Sequence, residues 1–261
     1  MNSDIQNALS FQYEGYSFIG ITLPLIYAVS DLCLRLSRSR KLVDVLGVRT
    51  SDKEFNELYT LLFINQTFFV VVHEYTHHVH GHFPGLHAEF DEQTKGADTA
   101  SGPNAQVQEI DADGYAVYHL LANLLDRTRA PSLALLGLDA AQAEVQDQTL
   151  FALIVVAVGA YFLQRPAPNL GDVYALSHPP QAARMQFLMG HAVAWCRQNR
   201  PALEGWITGR YQVLMSATAE EALSQGGGLV WASQTAFPRS DAGKAYMSAL
   251  EEGIRNFKSS L

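Results

Sequence analysis

The stretch from Leu61 to His77 constrains this chain more than any other. Leu61-Leu62-Phe63-Ile64 and Phe68-Phe69-Val70-Val71-Val72 are strongly apolar and run directly into His73-Glu74-Tyr75-Thr76-His77. Such a run predicts a buried helix with polar groups near its end. Residues four apart share one face of a helix, so His73 and His77 project together. Their ring nitrogens can then grip one metal ion, with Glu74 in reach of a water on that ion. Dry surroundings strengthen the hold on charge. Nine histidines in the chain would produce this pattern by chance in on the order of a few per cent of cases. The weight therefore falls on a third ligand and on groups that handle a substrate.

The chain has 261 residues, 48% of them hydrophobic and 17% charged, which describes a globular protein with a sizeable core. A net charge of -8 argues against nucleic acid as a partner, since phosphates need clustered lysine and arginine. The one basic cluster, Arg35 to Lys41, reads as a solvated helix end. Cys33 and Cys196 are too few for a disulfide framework and read as buried thiols. Met1-Asn2-Ser3-Asp4 lacks the features of a signal peptide, so a reducing cytoplasmic location is expected. Leu150 to Leu163 is apolar over about 14 residues, whereas a membrane span takes roughly 20. It reads as a core helix, as does Tyr16 to Val29. Membrane association is not expected, although residues 16–40 as an interfacial anchor remain an alternative.

The pattern predicts a mainly α fold with little β. Residues 16–40 read as a helix with arginines near its end, followed by Leu42 to Val48 as a short strand or connector. Ser51 and Glu54 form a capping box that opens a helix reaching His80, with Gly81 to stop it. Residues 82–102 form a polar loop, either the rim of a cleft or plain surface. Pro103 starts a helix that runs to about Asp126. Leu133 to Leu138 is a short apolar piece, and Asp139 caps a helix ending before Pro166. A proline-rich loop over 167–180 contains Ser177-His178-Pro179-Pro180. Helices follow at about 181–199, 201–224 and 241–258, the last two separated by Gly226-Gly227-Gly228.

Within the Pro103 helix, Glu109-Ile110-Asp111-Ala112-Asp113 offers the missing ligand. Glu109 and Asp113 share a face, so Glu109 can bind the ion while Asp113 accepts the spare N–H of a ligating histidine. Asp111 should point away from that face. An acidic first turn on an exposed helix is the competing explanation. His78 should face elsewhere, and His82 is a conceivable third ligand but lies past Gly81. His178, in a rigid turn before a helix, suits a donor to a developing oxyanion. Arg184 could support it by pairing with a carboxylate near the metal.

His73-Glu74-x-x-His77 is the HExxH pattern, in which the glutamate is the general base of a zinc peptidase. With Glu109-x-x-Ala112-Asp113 and then His178-Pro179 followed by Arg184, it resembles the HtpX and CAAX prenyl endopeptidase family of gluzincin metallopeptidases. The likeness covers roughly residues 60–190. It implies a gluzincin-like fold, one Zn2+ ion on His73, His77 and Glu109, and Glu74 as base. It also implies Asp113 as the residue orienting a histidine, and His178 and Arg184 as stabilisers of the transition state. The chain is expected to form one metallopeptidase domain over 1–261, with a catalytic core at about 51–200 and a helical extension at about 201–261. Its partner would be a peptide or protein substrate. Family members are integral membrane enzymes, so a soluble relative is expected here. A non-catalytic, zinc-stabilised binding or regulatory protein is the alternative, against which the intact Glu74 argues.

Overall fold

Aromatic and β-branched residues at the start of the chain pair as a hairpin. In the computed structural model, which describes residues 6–14, 16–48, 52–82, 102–125, 143–165, 168–224 and 228–258, β1 (Ala8–Tyr13) runs antiparallel to β2 (Tyr16–Ile21). Ala8 lies opposite Ile21 and Tyr13 opposite Tyr16, and the rings of Phe11 and Phe18 stack across the strands at 5.2 Å. The helix expected over 16–40 is therefore shorter, α1 being Leu23–Arg38. Pro24 fixes this start, because proline is tolerated only in a helix's first turn. Thr22 caps it: its Oγ1 accepts from the Leu25 N–H at 3.4 Å and from the Asn7 N–H at 2.9 Å. One side chain thus pins the hairpin to the helix.

The strand or connector expected at Leu42 to Val48 is instead α2 (Arg40–Leu46). Ser39 caps it, and Gly47 ends it at φ 69°. Leu42, Val43 and Leu46 enter the core from one face, so packing overrides the β preference of valine. The chain continues with α3 (Asp52–Val79), α4 (Pro103–Leu124), α5 (Ala143–Gln164), α6 (Gln181–Asn199) and α7 (Pro201–Ala222). After these come α8 (Gly228–Ala236), which the glycine run concealed, and α9 (Asp241–Lys258). The architecture is mainly helical. The Ser51 cap, the loop over 83–101, Leu133 to Leu138 and the Asp139 cap lie outside the described residues.

At the centre lies α5, buried from Leu150 to Leu163 and packed against α3 and α7. A helix apolar on every side belongs to a core or a bilayer. Both α5 and Phe55–Val79 of α3 are long and apolar enough to cross a membrane by length and composition, but 83% of the α5 window is buried inside the protein. The helix that matters most for the site, α4, packs on α3, α6 and α9. Gly114 lets α6 come close, since a Cβ there would stand 2.9 Å from the His191 ring. On its other flank, Tyr246, Met247 and Leu250 of α9 close over Val107 and Ile110 as a second small core. The C-terminal helix thus covers the segment that carries Glu109.

Truncating a fully buried α5 side chain should be costly. Phe151→Ala is expected to lower the unfolding free energy by about 3–5 kcal/mol, against about 0.5 kcal/mol or less for Tyr27→Ala on an exposed face. Urea titration of both variants checks this, and equal losses would show that α5 is not the core helix.

Candidate metal centre

One helical turn brings the His73 and His77 rings together, with their Nε2 atoms 3.3 Å apart. From α4, Glu109 meets both: Oε2 is 3.3 Å from His73 Nε2, and Oε1 is 3.3 Å from His77 Nε2. A tetrahedral ion with bonds of about 2.0–2.1 Å separates its ligands by roughly 3.3–3.4 Å. The three donor groups therefore already stand at the spacing such an ion requires. All three side chains are buried, and Glu109 Oε2 is a buried oxygen that accepts no hydrogen bond. Its neighbours stand at ion-pairing distance only, which leaves its lone pairs open to a metal ion. His73, His77 and Glu109 form a group able to hold a metal ion.

Around this group the other predicted residues converge. Asp113 Oδ1 is 3.0 Å from His73 Nδ1, close enough for ion pairing although off the line of a good hydrogen bond. Arg184 reaches in from α6, donating from Nε and Nη2 to the two Asp113 oxygens at 2.8 Å each. Its Nη2 also lies 3.3 Å from Glu109 Oε2, and its guanidinium packs over the Phe162 ring. His178 faces the same carboxylate, with Nε2 at 3.4 Å from Glu109 Oε2, while its Nδ1 is 2.9 Å from Ser177 Oγ. Glu74, which follows His73 in α3, is buried. Among the described residues it has neither a hydrogen-bond nor an ion-pair partner, so its carboxylate is uncommitted.

Burial opposes charge at each of these groups, and the pairings overcome it. Burial lowers the His73 pKa, but the adjacent Glu109 and Asp113 carboxylates lift it to about 10. Burial raises that of Glu109, yet His178, His73 and His77 hold it well below the usual carboxylate range. Asp113 is likewise held low, by Arg184 first and then His73.

Asp111 points away from Glu109, and it accepts from His80 Nδ1 at 2.5 Å. Burial raises its pKa, but His82 and His80 bring it down to about 2. His82 is not placed as a third ligand: it stands behind His77, with the two Nδ1 atoms 3.0 Å apart, on the side away from Glu109. His78 turns to the hairpin, its Nε2 3.1 Å from the Phe18 carbonyl.

Two residues without any sequence signal hold the His178 loop. Gln106, fully buried on α4, donates from Nε2 to the carbonyls of Val173 and Leu176 at 2.7 Å each. Tyr246 of α9 donates its hydroxyl to Gln106 Oε1 at 2.8 Å. These partners lie 67 to 140 residues away in sequence, and no local pattern marks them. Compared with known proteins, the chain matches no family model, no curated protein and no solved structure.

Gln106→Leu should remove the side-chain donor to the Val173 carbonyl and the acceptor of the Tyr246 hydroxyl, leaving the Leu176 carbonyl only the Gly102 N–H at 3.3 Å, at about 1–3 kcal/mol for each buried group left unsatisfied. Urea unfolding measures the loss, and an unchanged midpoint would contradict this network. A second expectation concerns protons. Below pH 10 the metal-free His73 carries a proton that a ligating imidazole must shed, so ion binding at pH 7 should release about one proton or more. Affinity then rises with pH from neutrality. Calorimetry in buffers of different ionisation heat reads the proton count, and a value of zero would refute it.

Proposed function

We propose that this chain is a zinc-dependent endopeptidase of the gluzincin type, hydrolysing peptide bonds in a peptide or protein substrate. The observation that carries this reading is the triangle of His73, His77 and Glu109 donors at 3.3 Å; Glu74 follows His73 on the same helix, and its carboxylate has no other partner among the described residues. Two imidazoles and a carboxylate are a donor set of catalytic zinc, which keeps one position open. The resemblance to the HtpX and CAAX prenyl endopeptidases points the same way. Free, buried Cys33 and Cys196 suit a reducing cytoplasm.

Zinc on these residues would supply a Lewis acid that lowers the pKa of water and polarises a carbonyl. The Glu74 carboxylate takes the proton of the attacking water and returns it to the leaving amine nitrogen. His178 remains partly exposed, with 30% of its side chain accessible, and its Nε2–H donates to the carbonyl oxygen as that oxygen gains charge. Asp113 holds His73 at Nδ1, and Arg184 holds Asp113 and Glu109 in place. A structural zinc site has no use for a free carboxylate in the position of Glu74.

Glu74→Gln tests the reading. The variant should retain zinc at the wild-type stoichiometry while its cleavage of an unfolded protein substrate falls on the order of 10²–10⁴-fold. Metal analysis and a proteolysis time course on the same preparations give both numbers. Equal cleavage rates would remove Glu74 as the base, and a zinc-loaded wild type inert towards peptides would favour the binding-protein alternative.

A further inference from the structure

The turn that ends α3 is built to bring its first and last residues together. Gly81 N–H donates to His78 O at 3.3 Å, and His82 N–H donates to His77 O at 3.0 Å. With Gly81 at φ 64°, this is the doubly bonded Schellman turn, which usually closes on an apolar contact between its ends. Here the ends are His77 and His82, with ring centroids 4.9 Å apart. Phe257 of α9 packs on His82 at 5.4 Å, and only 1% of the His82 side chain is exposed. The glycine in Val79-His80-Gly81-His82 thus delivers a buried imidazole to the back of His77.

Counting protons fixes what it does there. The 3.0 Å contact between the two Nδ1 atoms is a hydrogen bond holding one proton. His77 presents Nε2 to Glu109, so with an ion on Nε2 the one ring proton sits on Nδ1 and is donated to His82. His82 accepts at Nδ1 and keeps its own proton on Nε2, which stands 3.4 Å from Asp111 Oδ2, within ion-pairing distance although off the line of a good hydrogen bond. Asp111 is steadied in turn by the hydrogen bond from His80. We propose that His82, backed by Asp111, is the positioning residue for His77, holding its tautomer and ring plane so that Nε2 faces the ion bare. It does for the second histidine what Asp113 does for the first. The inference rests on His73, His77 and Glu109 being a metal site.

His80, His82 and Asp111 are also close enough to hold an ion of their own. The same proton count opposes it. An ion on His82 Nε2 would move the His82 proton to Nδ1, where it meets the proton on His77 Nδ1. The two histidines cannot both bind metal through Nε2 and keep their hydrogen bond.

The test uses the full chain, stripped of metal, and measures Zn2+ affinity by competition with a chromogenic chelator together with ions bound per chain. His82→Phe fills the space without offering an acceptor and should weaken binding on the order of 10–100-fold. His82→Asn sets its Oδ1 where Nδ1 stands and should stay within about threefold of wild type, a rescue that a purely space-filling role would not give. His82→Leu removes the acceptor in a smaller side chain should the phenyl ring disturb the turn. Thermal melts of the metal-free variants check folding. Apolar variants that bind as tightly as wild type would overturn the proposal, as would His82→Asn binding as weakly as they do. So would a second ion per chain that His80→Ala removes. A wild-type chain that binds no Zn2+ would overturn the metal centre and this inference together, whereas tight binding insensitive to residue 82 would overturn this inference alone.

Discussion

Carboxylates at Glu109, Asp111 and Asp113 on α4 are all buried, and a buried carboxylate without a partner is unfavourable by several kcal/mol. Each must therefore be met by a cation or donor from another element. Glu109 is met by His73 and His77 of α3 and by His178. Asp113 is met by Arg184 of α6 with two hydrogen bonds at 2.8 Å. Asp111, on the other side of the helix, is met by His80 and His82. Requiring all three partnerships at once fixes how α3, α4 and α6 converge.

The apolar part of the fold makes those pairings strong. Phe69 lies edge-on to Tyr161 and Phe162 at 5.8 Å each, and Phe162 lies under the Arg184 guanidinium at 4.8 Å. This wall, supplied by α3 and α5, keeps water from the inner side of the charges, where a low dielectric magnifies attraction. The cost of removing one partner rises by the same measure. Packing also holds α9 against α4, and the Tyr246 hydroxyl bonded to Gln106 links it to the loop bearing His178. The loop is thus fixed at the carboxylate by contacts distant from it in sequence.

This explains what could be read from the sequence. His73 with His77, and Glu109 with Asp113, are local pairs spaced by one helical turn, so their shared faces follow from the backbone repeat alone. Their meeting across α3 and α4 was also legible, because three carboxylates on an apolar helix demand a positive partner. The hairpin was not: both strands carry aromatic residues and β2 adds Ile19 and Ile21, but only pairing with each other distinguishes them from the start of a helix. Leu42 to Leu46 misled through propensity, since the core contacts that make it α2 come from distant residues. His82 was hidden differently. Its position past Gly81 spoke against a ligand and gave no sign of another role, and only the left-handed geometry of that turn carries the ring behind His77.

Charge balance gives Glu74 its place in this arrangement. In the metal-free protein, ionised Glu109 and Asp113 face protonated His73 and charged Arg184, and the cradle is neutral. A divalent ion that displaces the His73 proton leaves the ion and Arg184 against the same two carboxylates, one positive charge in excess. In a dry pocket that excess must be balanced by an anion close by. Glu74 is the buried carboxylate on the same helix with no other partner among the described residues.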